Sequence, residues 1–341
     1  MAKRRLFRWP APRTTGLTFL ALLLSSLTLF LYGGGSFPMT PAQRGSSLQS
    51  AQSVDSTDGV IAAQESLHDQ VIRELAEITS AYSNTSRVGL VLAATQSEDL
   101  QWLLDYCRER GPDTIPFIYS TDEKPDPRLL LPRTTRGREA TAYLSFIVDH
   151  YDKLPPYSLF IHSNINQWHN DLFGPYTSNA LRNLRLEAVD AMGYVNLRCQ
   201  HDPGCPTSVH PWSPTQIDIE KNDIRAFFPE VYQTIFNVPS DQVPEHIGNV
   251  CCGQFAVSRE RILQRPRHDY ERMLKWAAET ERTDSFGVGW VYEKIWHIIF
   301  GMEVIYCPRY EQCRCDVYGW CGPLADTGET LQAVRAPAPA S

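Results

Sequence analysis

The spacing of apolar residues changes repeatedly along the chain, and each regime predicts an element. Residues 88–94 (VGLVLAA), 115–120 (IPFIYS) and 157–163 (YSLFIHS) are short, mostly apolar runs of strand length. Two stretches with a helical period lie between them. In SEDLQWLLDYCRER, Ser97 is placed to cap a helix, with Glu98 and Asp99 in its first turn. In REATAYLSFIVDHYD, opened by Gly137, the residues Ala140, Tyr143, Leu144, Ile147 and Tyr151 make one stripe. Strand, helix, strand, helix, strand is the pattern of an α/β fold with a parallel, Rossmann-like sheet that takes ligands at the carboxyl ends of its strands. The second half is less regular. Helices are predicted over 179–192, 221–236, 270–280 and 288–300, and strands over 253–258 and 303–308. A further helical period (Leu67, Val71, Ile72, Leu75, Ile78) precedes the first strand and suits a helix packed on the body or an extension of a stem.

The longest apolar run stands apart from these. No charged residue occurs over 14–43, and 16–32 (GLTFLALLLSSLTLFLY) is dominated by Leu and Phe. At about 1.5 Å per residue it predicts one membrane-spanning signal-anchor helix over 14–34. Lys3, Arg4, Arg5, Arg8 and Arg13 precede it. The positive-inside rule therefore keeps 1–13 in the cytosol and sends the body to a lumenal (ER or Golgi) or extracellular side, a type II arrangement. A signal peptide cleaved near Gly33-Gly34-Gly35-Ser36 is the alternative. A stem over 35–86, its first part (34–60) rich in Gly, Ser, Gln, Ala and Pro, a globular domain over 87–323 and an Ala/Pro-rich disordered tail over 324–341 complete the division.

Composition is that of an ordinary globular chain: 341 residues, 43% hydrophobic and 21% charged, which rules out collagen-like and multi-span classes. Charge says more. The net charge is −7 although the first thirteen residues hold five positives, so the remainder carries −12 and nucleic acid is not an expected partner. Nine cysteines suit an oxidising compartment. Cys307, Cys313, Cys315 and Cys321 (C-x5-C-x-C-x5-C), with Cys199 and Cys205 around a Pro/Gly loop, are disulfide candidates of open connectivity; a zinc site is the alternative. Cys251 and Cys252 are expected to bond to two different partners, and Cys107, inside a helical pattern, to stay free. Asn84-Thr85-Ser86 is a glycosylation acceptor on a lumenal surface.

Three places could carry chemistry. Arg133, Arg136 and Arg138 cluster at a helix start beside Gly137, where backbone N–H groups and arginine forks would hold a diphosphate; a solvated basic loop is the plain alternative. The loop after the third predicted strand (HSNINQWHND) offers His162, Asn164, Trp168, His169 and Asp171 to a small-molecule or sugar substrate, although strand ends gather polar residues simply to make turns. Within it, His169-x-Asp171 is a mixed nitrogen and oxygen pair for a divalent cation, the one cofactor the sequence suggests. In VGWVYEKIWHIIFG, the residues Val288, Val291, Ile295, Ile298 and Ile299 form the buried face. Trp290, Glu293 and His297 fall together opposite, either lining a cleft with Glu293 as general base or standing as a covered surface.

The strings LVLAATQSEDLQWL, GREATAYLSFIVDHYDKLP, LFIHSNINQWHND, GYVNLRC with PGCP, and WHIIFG followed by CPRYEQCRCDVYGWC resemble a fungal family of domains of unknown function, over about residues 87–323. More distantly, the first strand with its acidic, aromatic helix start and the GRE-type helix are similar to GT-A glycosyltransferases. In this chain His162-Ser163-Asn164 stands where those enzymes carry the D-x-D metal motif. That resemblance implies a GT-A-like sheet, beside the helical, cysteine-stapled C-terminal half read from the residues, and a transferase using a nucleotide-sugar donor. In it the 133–138 arginines would hold the diphosphate, with Glu293, Asp171 or His169 as catalytic groups. A tailoring or condensing enzyme of fungal secondary metabolism and a non-catalytic ligand-binding module are the alternatives.

Overall fold

Short strands buried on both faces build the centre of the fold. The structure is a computed structural model and describes residues 65–322. Its strands are β1 (Val88–Ala94), β2 (Thr114–Ser120), β3 (Tyr157–Phe160), β4 (Tyr194–Asn196), β5 (Gly248–Asn249), β6 (Phe255–Ser258) and β7 (Ile305–Tyr306). Five of them form one sheet in the order β2-β1-β3-β6-β4, and β5 pairs with β7 apart from it. β1 pairs in parallel with β2 (Val88 opposite Thr114) and with β3 (Val88 opposite Tyr157), whereas β6 runs antiparallel to both β3 and β4. The sheet is therefore mixed but mostly parallel, with β6 alone reversed.

Side chains alternate between its two faces, as the pleat requires. Val91, Phe117, Phe160, Phe255 and Tyr194 face a core that also holds the buried residues of α3 (Glu139–Asp149), α7 (Phe228–Phe236), α9 (Arg267–Glu279) and α10 (Ser285–Ile299). Leu90, Leu92, Ile118, Leu159, Ala256 and Val195 face a second core. That one is closed by α1 (Leu67–Ser80), α2 (Gln101–Arg110), α4 (Thr177–Asn183), α5 (Leu186–Met192) and α11 (Tyr310–Tyr318). Short helices α6 (Gln216–Glu220) and α8 (Arg259–Leu263) complete the described elements. Every residue from Ala140 to Val148 in α3 is buried, because this helix lies between the sheet and the outer helices rather than showing one stripe.

Several boundaries differ from those the sequence predicts. α2 starts at Gln101, without the Ser97 cap: Asp99 Oδ1 takes the Gln101 N–H at 2.9 Å and Glu98 turns back to Thr95. The helix expected over 179–192 breaks at Leu184 and Arg185, where the Arg185 N–H leaves to bond the Val317 carbonyl at 2.9 Å. α1 buries Val71, Ile72 and Leu75 and hands the Thr79 hydroxyl to the Pro116 carbonyl, so it packs on the body. The remainder of the predicted stem and the tail over 324–341 lie outside the described residues.

The expected membrane-spanning signal-anchor is corrected in this sense: among the described residues no helix is long and apolar enough to cross a membrane. The 14–34 run itself lies outside them.

Cysteine pairing is explicit. Cys199 bonds Cys313 and Cys205 bonds Cys307, tying the loop after β4 to the C-terminal segment, and Cys315 bonds Cys321. All six candidates are thus in disulfides, which points to an oxidising, secreted or lumenal environment. Cys251 and Cys252 bond each other instead of two other partners. The turn permits it: Cys252 takes φ of 99° and Gly253 follows at 63°. Cys107 is free and buried, and burial pushes its thiol up to about 12, so it is inert.

Candidate functional site

The parallel strands aim their carboxyl ends at one cleft. β1 runs out into Thr95 and Glu98, β2 into Thr121, and β3 into His162, Ser163 and Asn164; with the start of α3 they enclose about 440 Å³. β2 and β3 flank β1 on opposite sides, so the cleft lies where the winding of the sheet reverses, the position at which open α/β sheets hold ligands. Gly137 shapes one wall. Its φ is 105°, and a Cβ there would stand 2.7 Å from Val288 Cγ1, so glycine lets α3 begin hard against α10. Its N–H bonds the Ser285 hydroxyl at 3.0 Å, and the next two residues, Arg138 and Glu139, line the cleft. The Arg138 guanidinium lies 5.0 Å over the Phe286 ring, and among the described residues no carboxylate pairs with it.

Other groups on this wall are tightly held. Glu98 accepts the Thr95 N–H at 2.7 Å with one oxygen and the Ser163 hydroxyl with the other, while the Ser163 carbonyl takes the Trp102 indole N–H at 2.8 Å. His162 Nε2 lies 3.2 Å from the Cys252 carbonyl. A carbonyl only accepts, so Nε2 carries the proton and Nδ1 is the basic nitrogen of the ring. The His162 backbone N–H donates to Gln254 Oε1 at 3.1 Å, and Gln254 in turn donates to Asn170 Oδ1 at 2.9 Å.

Behind His162 the loop packs ring on ring. The His169 ring centre is 5.3 Å from His162 and 5.5 Å from Trp168. Burial, helped by His162 and Arg198, lowers the His169 pKa to about 3. Trp168 is 71% exposed and carries the Arg198 guanidinium 5.1 Å from its ring centre. Arg198 is itself buried and donates to Cys251 Sγ at 3.1 Å.

The three places marked by the sequence do not converge. Arg133 is ion-paired with Asp149 at 2.8 Å. Arg136 donates to the carbonyls of Ala278, Thr280 and Thr283, fixing the loop before α10, so of the three arginines only Arg138 faces the cleft. Asp171 accepts the backbone N–H groups of Cys199 and Gln200 at 3.1 and 2.7 Å, holding the disulfide loop, and burial raises its pKa. On α10, Glu293 pairs with Lys294 at 2.8 Å, and Trp290 is covered by Arg225 and Phe228. His297 is fully buried, with Nε2 on the Val304 carbonyl, and lines a separate small, mostly apolar cavity of about 30 Å³. Neither Glu293 nor Trp290 reaches the cleft. Asn84 sits in an exposed turn. Among the described residues no three His, Cys, Asp or Glu side chains gather to hold an ion, and His169 and Asp171 serve different neighbours.

His169 and His297 carry a testable cost. Both are held neutral when folded, with pKa values lowered to about 3 and about 4 by burial, whereas an unfolded histidine titrates near about 6.5. Below that pH the unfolded chain binds protons the folded chain refuses. Stability is therefore full above about pH 6.5 and falls as pH drops toward 4, by about 1.4 kcal/mol per pH unit for each histidine. Urea unfolding at pH 7 and pH 5 should show this loss, and His297→Gln should flatten it by about half. Equal stability of the parent at the two pH values would rule it out.

Sequence reasoning missed Glu98, Glu139 and the Cys251–Cys252 ring. The position of Glu98 just past the first strand was the available signal. A family profile described as "Protein of unknown function (DUF3431)" matches residues 90–316, the span that builds the sheet, the cleft and most of the disulfide-tied segment. No curated protein and no solved structure matches the chain. With most of its length covered by that profile, the chain belongs to the DUF3431 family.

Proposed function

We propose that this protein is a lumenal or secreted transferase of the glycosyltransferase type, binding a nucleotide-sugar donor in the switch-point cleft. The observation that carries the reading is the meeting, in one polar cleft, of an uncommitted cation, a helix start and an imidazole with a basic nitrogen. Arg138 and the first N–H groups of α3 hold the anionic part of the donor. Hydroxyls and amides from Thr95, Thr121, Asn164 and Gln167 suit a polyhydroxylated ligand. His162 Nδ1 takes the proton from the acceptor hydroxyl as it attacks the sugar carbon and the diphosphate leaves. Glu98 and Ser163 fix the strand ends that place His162. Nucleotide-sugar donors offered to the purified protein should be bound and slowly hydrolysed, and Arg138→Ala should weaken binding by about tenfold. Absence of both binding and hydrolysis with every common donor would remove the reading.

A second reading, a carbohydrate-binding module without catalysis, is favoured by Trp168, which offers an exposed aromatic face beside the cleft. Sugar binding that survives His162→Ala, with no turnover by the parent, would select it.

A further inference from the structure

His210 and His246 lie outside everything used so far. Their Nδ1 atoms are 3.0 Å apart and their ring centres 5.0 Å apart, and both residues are exposed. The backbone beneath explains the approach. Val209 and Ile247 form an antiparallel bridge and exchange both hydrogen bonds, Val209 N–H to Ile247 carbonyl at 3.1 Å and Ile247 N–H to Val209 carbonyl at 3.0 Å. The next opposed pair, His210 and His246, is then a non-hydrogen-bonded pair, the kind in which facing side chains come closest. The pleat buries Val209 and Ile247 and turns both imidazoles to the same outer side.

This base is rigid. Ile247 is fully buried, β5 follows directly, the Asn249 N–H bond to the Gly204 carbonyl holds the two segments together, and the Cys205–Cys307 disulfide anchors the first of them beside β7, the partner of β5. Pro211 and Pro244 flank the pair and limit its backbone freedom.

We propose that His210 and His246 form a two-nitrogen chelate for a divalent transition ion of the zinc, nickel or copper class. Imidazole is the nitrogen ligand such ions favour, and metal–nitrogen bonds of about 2.0–2.1 Å place two neighbouring ligands about 2.9–3.4 Å apart. The observed separation lies inside that range. One Nδ1 donates its proton to the other in the ion-free pair. On binding, that proton moves to Nε2 of the same ring, and both Nδ1 lone pairs turn to the metal, so no net proton is lost from the neutral rings. Among the described residues no third ligand of the His, Cys, Asp or Glu type gathers there, so water would fill the other positions and leave the site open to an outside ligand.

Untagged protein should be titrated calorimetrically with zinc and separately with nickel, using the parent, His210→Ala and His246→Ala, and His268→Ala as an exposed control on α9. One saturable equivalent is expected in the parent and the control, with affinity lower by about tenfold or more in each of the other variants. Their thermal unfolding without metal should match the parent, since both side chains lie in solvent, and added nickel should raise the melting temperature of the parent and the control only. Absence of saturable binding by the parent, or unchanged affinity in both His210→Ala and His246→Ala, would overturn the proposal.

Discussion

Serine at Cys199, Cys205, Cys307 and Cys313 together is expected to remove half or more of the chain's stability near neutral pH. The two bonds span 114 and 102 residues. Closing a loop of that length removes about 4.7 kcal/mol of unfolded-state entropy in the chain model. The bonds are nested, their ends six residues apart on each side. Once one is closed, the other closes only a short ring, worth about 3 kcal/mol. Removing either pair alone should therefore cost about 3 kcal/mol, and removing both about 7–8 kcal/mol, against a typical total stability of 5–15 kcal/mol. The fold itself adds a reason: Val317 and Tyr318 of α11 are core residues of the second sheet face, and the two bonds bring α11 to it. Guanidinium unfolding of the three variants measures the series. A four-serine protein as stable as either two-serine protein would show that the C-terminal segment docks without these bonds.

Replacing His162 is expected to give the largest loss of turnover. If Nδ1 is the base, His162→Ala should reduce the rate by about 10²–10⁴-fold while donor affinity changes little. His162→Gln separates chemistry from architecture. The glutamine amide can still donate to the Cys252 carbonyl but offers no basic nitrogen. The two variants should be equally slow and folded. A His162→Gln protein with parental turnover would assign the proton transfer elsewhere, with Glu98 and Glu139 the remaining carboxylates in the cleft. Alanine at Glu293, by contrast, should leave turnover unchanged, because it pairs with Lys294 and does not line the cleft.

The legible parts of the fold were those decided by local periodicity. β1, β2 and β3 appear as apolar runs because both faces of the sheet are covered, whereas α10, read as a one-sided stripe, is buried all round from Ile295 to Ile299. The site was half legible for the same reason. A ligand cleft follows the carboxyl ends of parallel strands, which singled out His162 and Asn164. What periodicity could not show was how polar side chains are used. Arg136 reads as an anion ligand but closes three carbonyls, and His297 reads as facing a cleft but is sealed behind the β5–β7 segment. Both positions depend on contacts with residues far away in the chain.

Hydrophobic spacing by itself determined the α/β class and the succession of the first three strands along the chain, since each depends only on near neighbours, and the cysteine content suggested the oxidising environment to which the disulfides point. Tertiary structure alone decided that β6 is reversed and which cysteines pair. It also decided that Arg138 rather than Arg133 or Arg136 faces the cleft. Those outcomes rest on distances between segments a hundred residues apart, closed by burial and hydrogen bonding after the local elements exist.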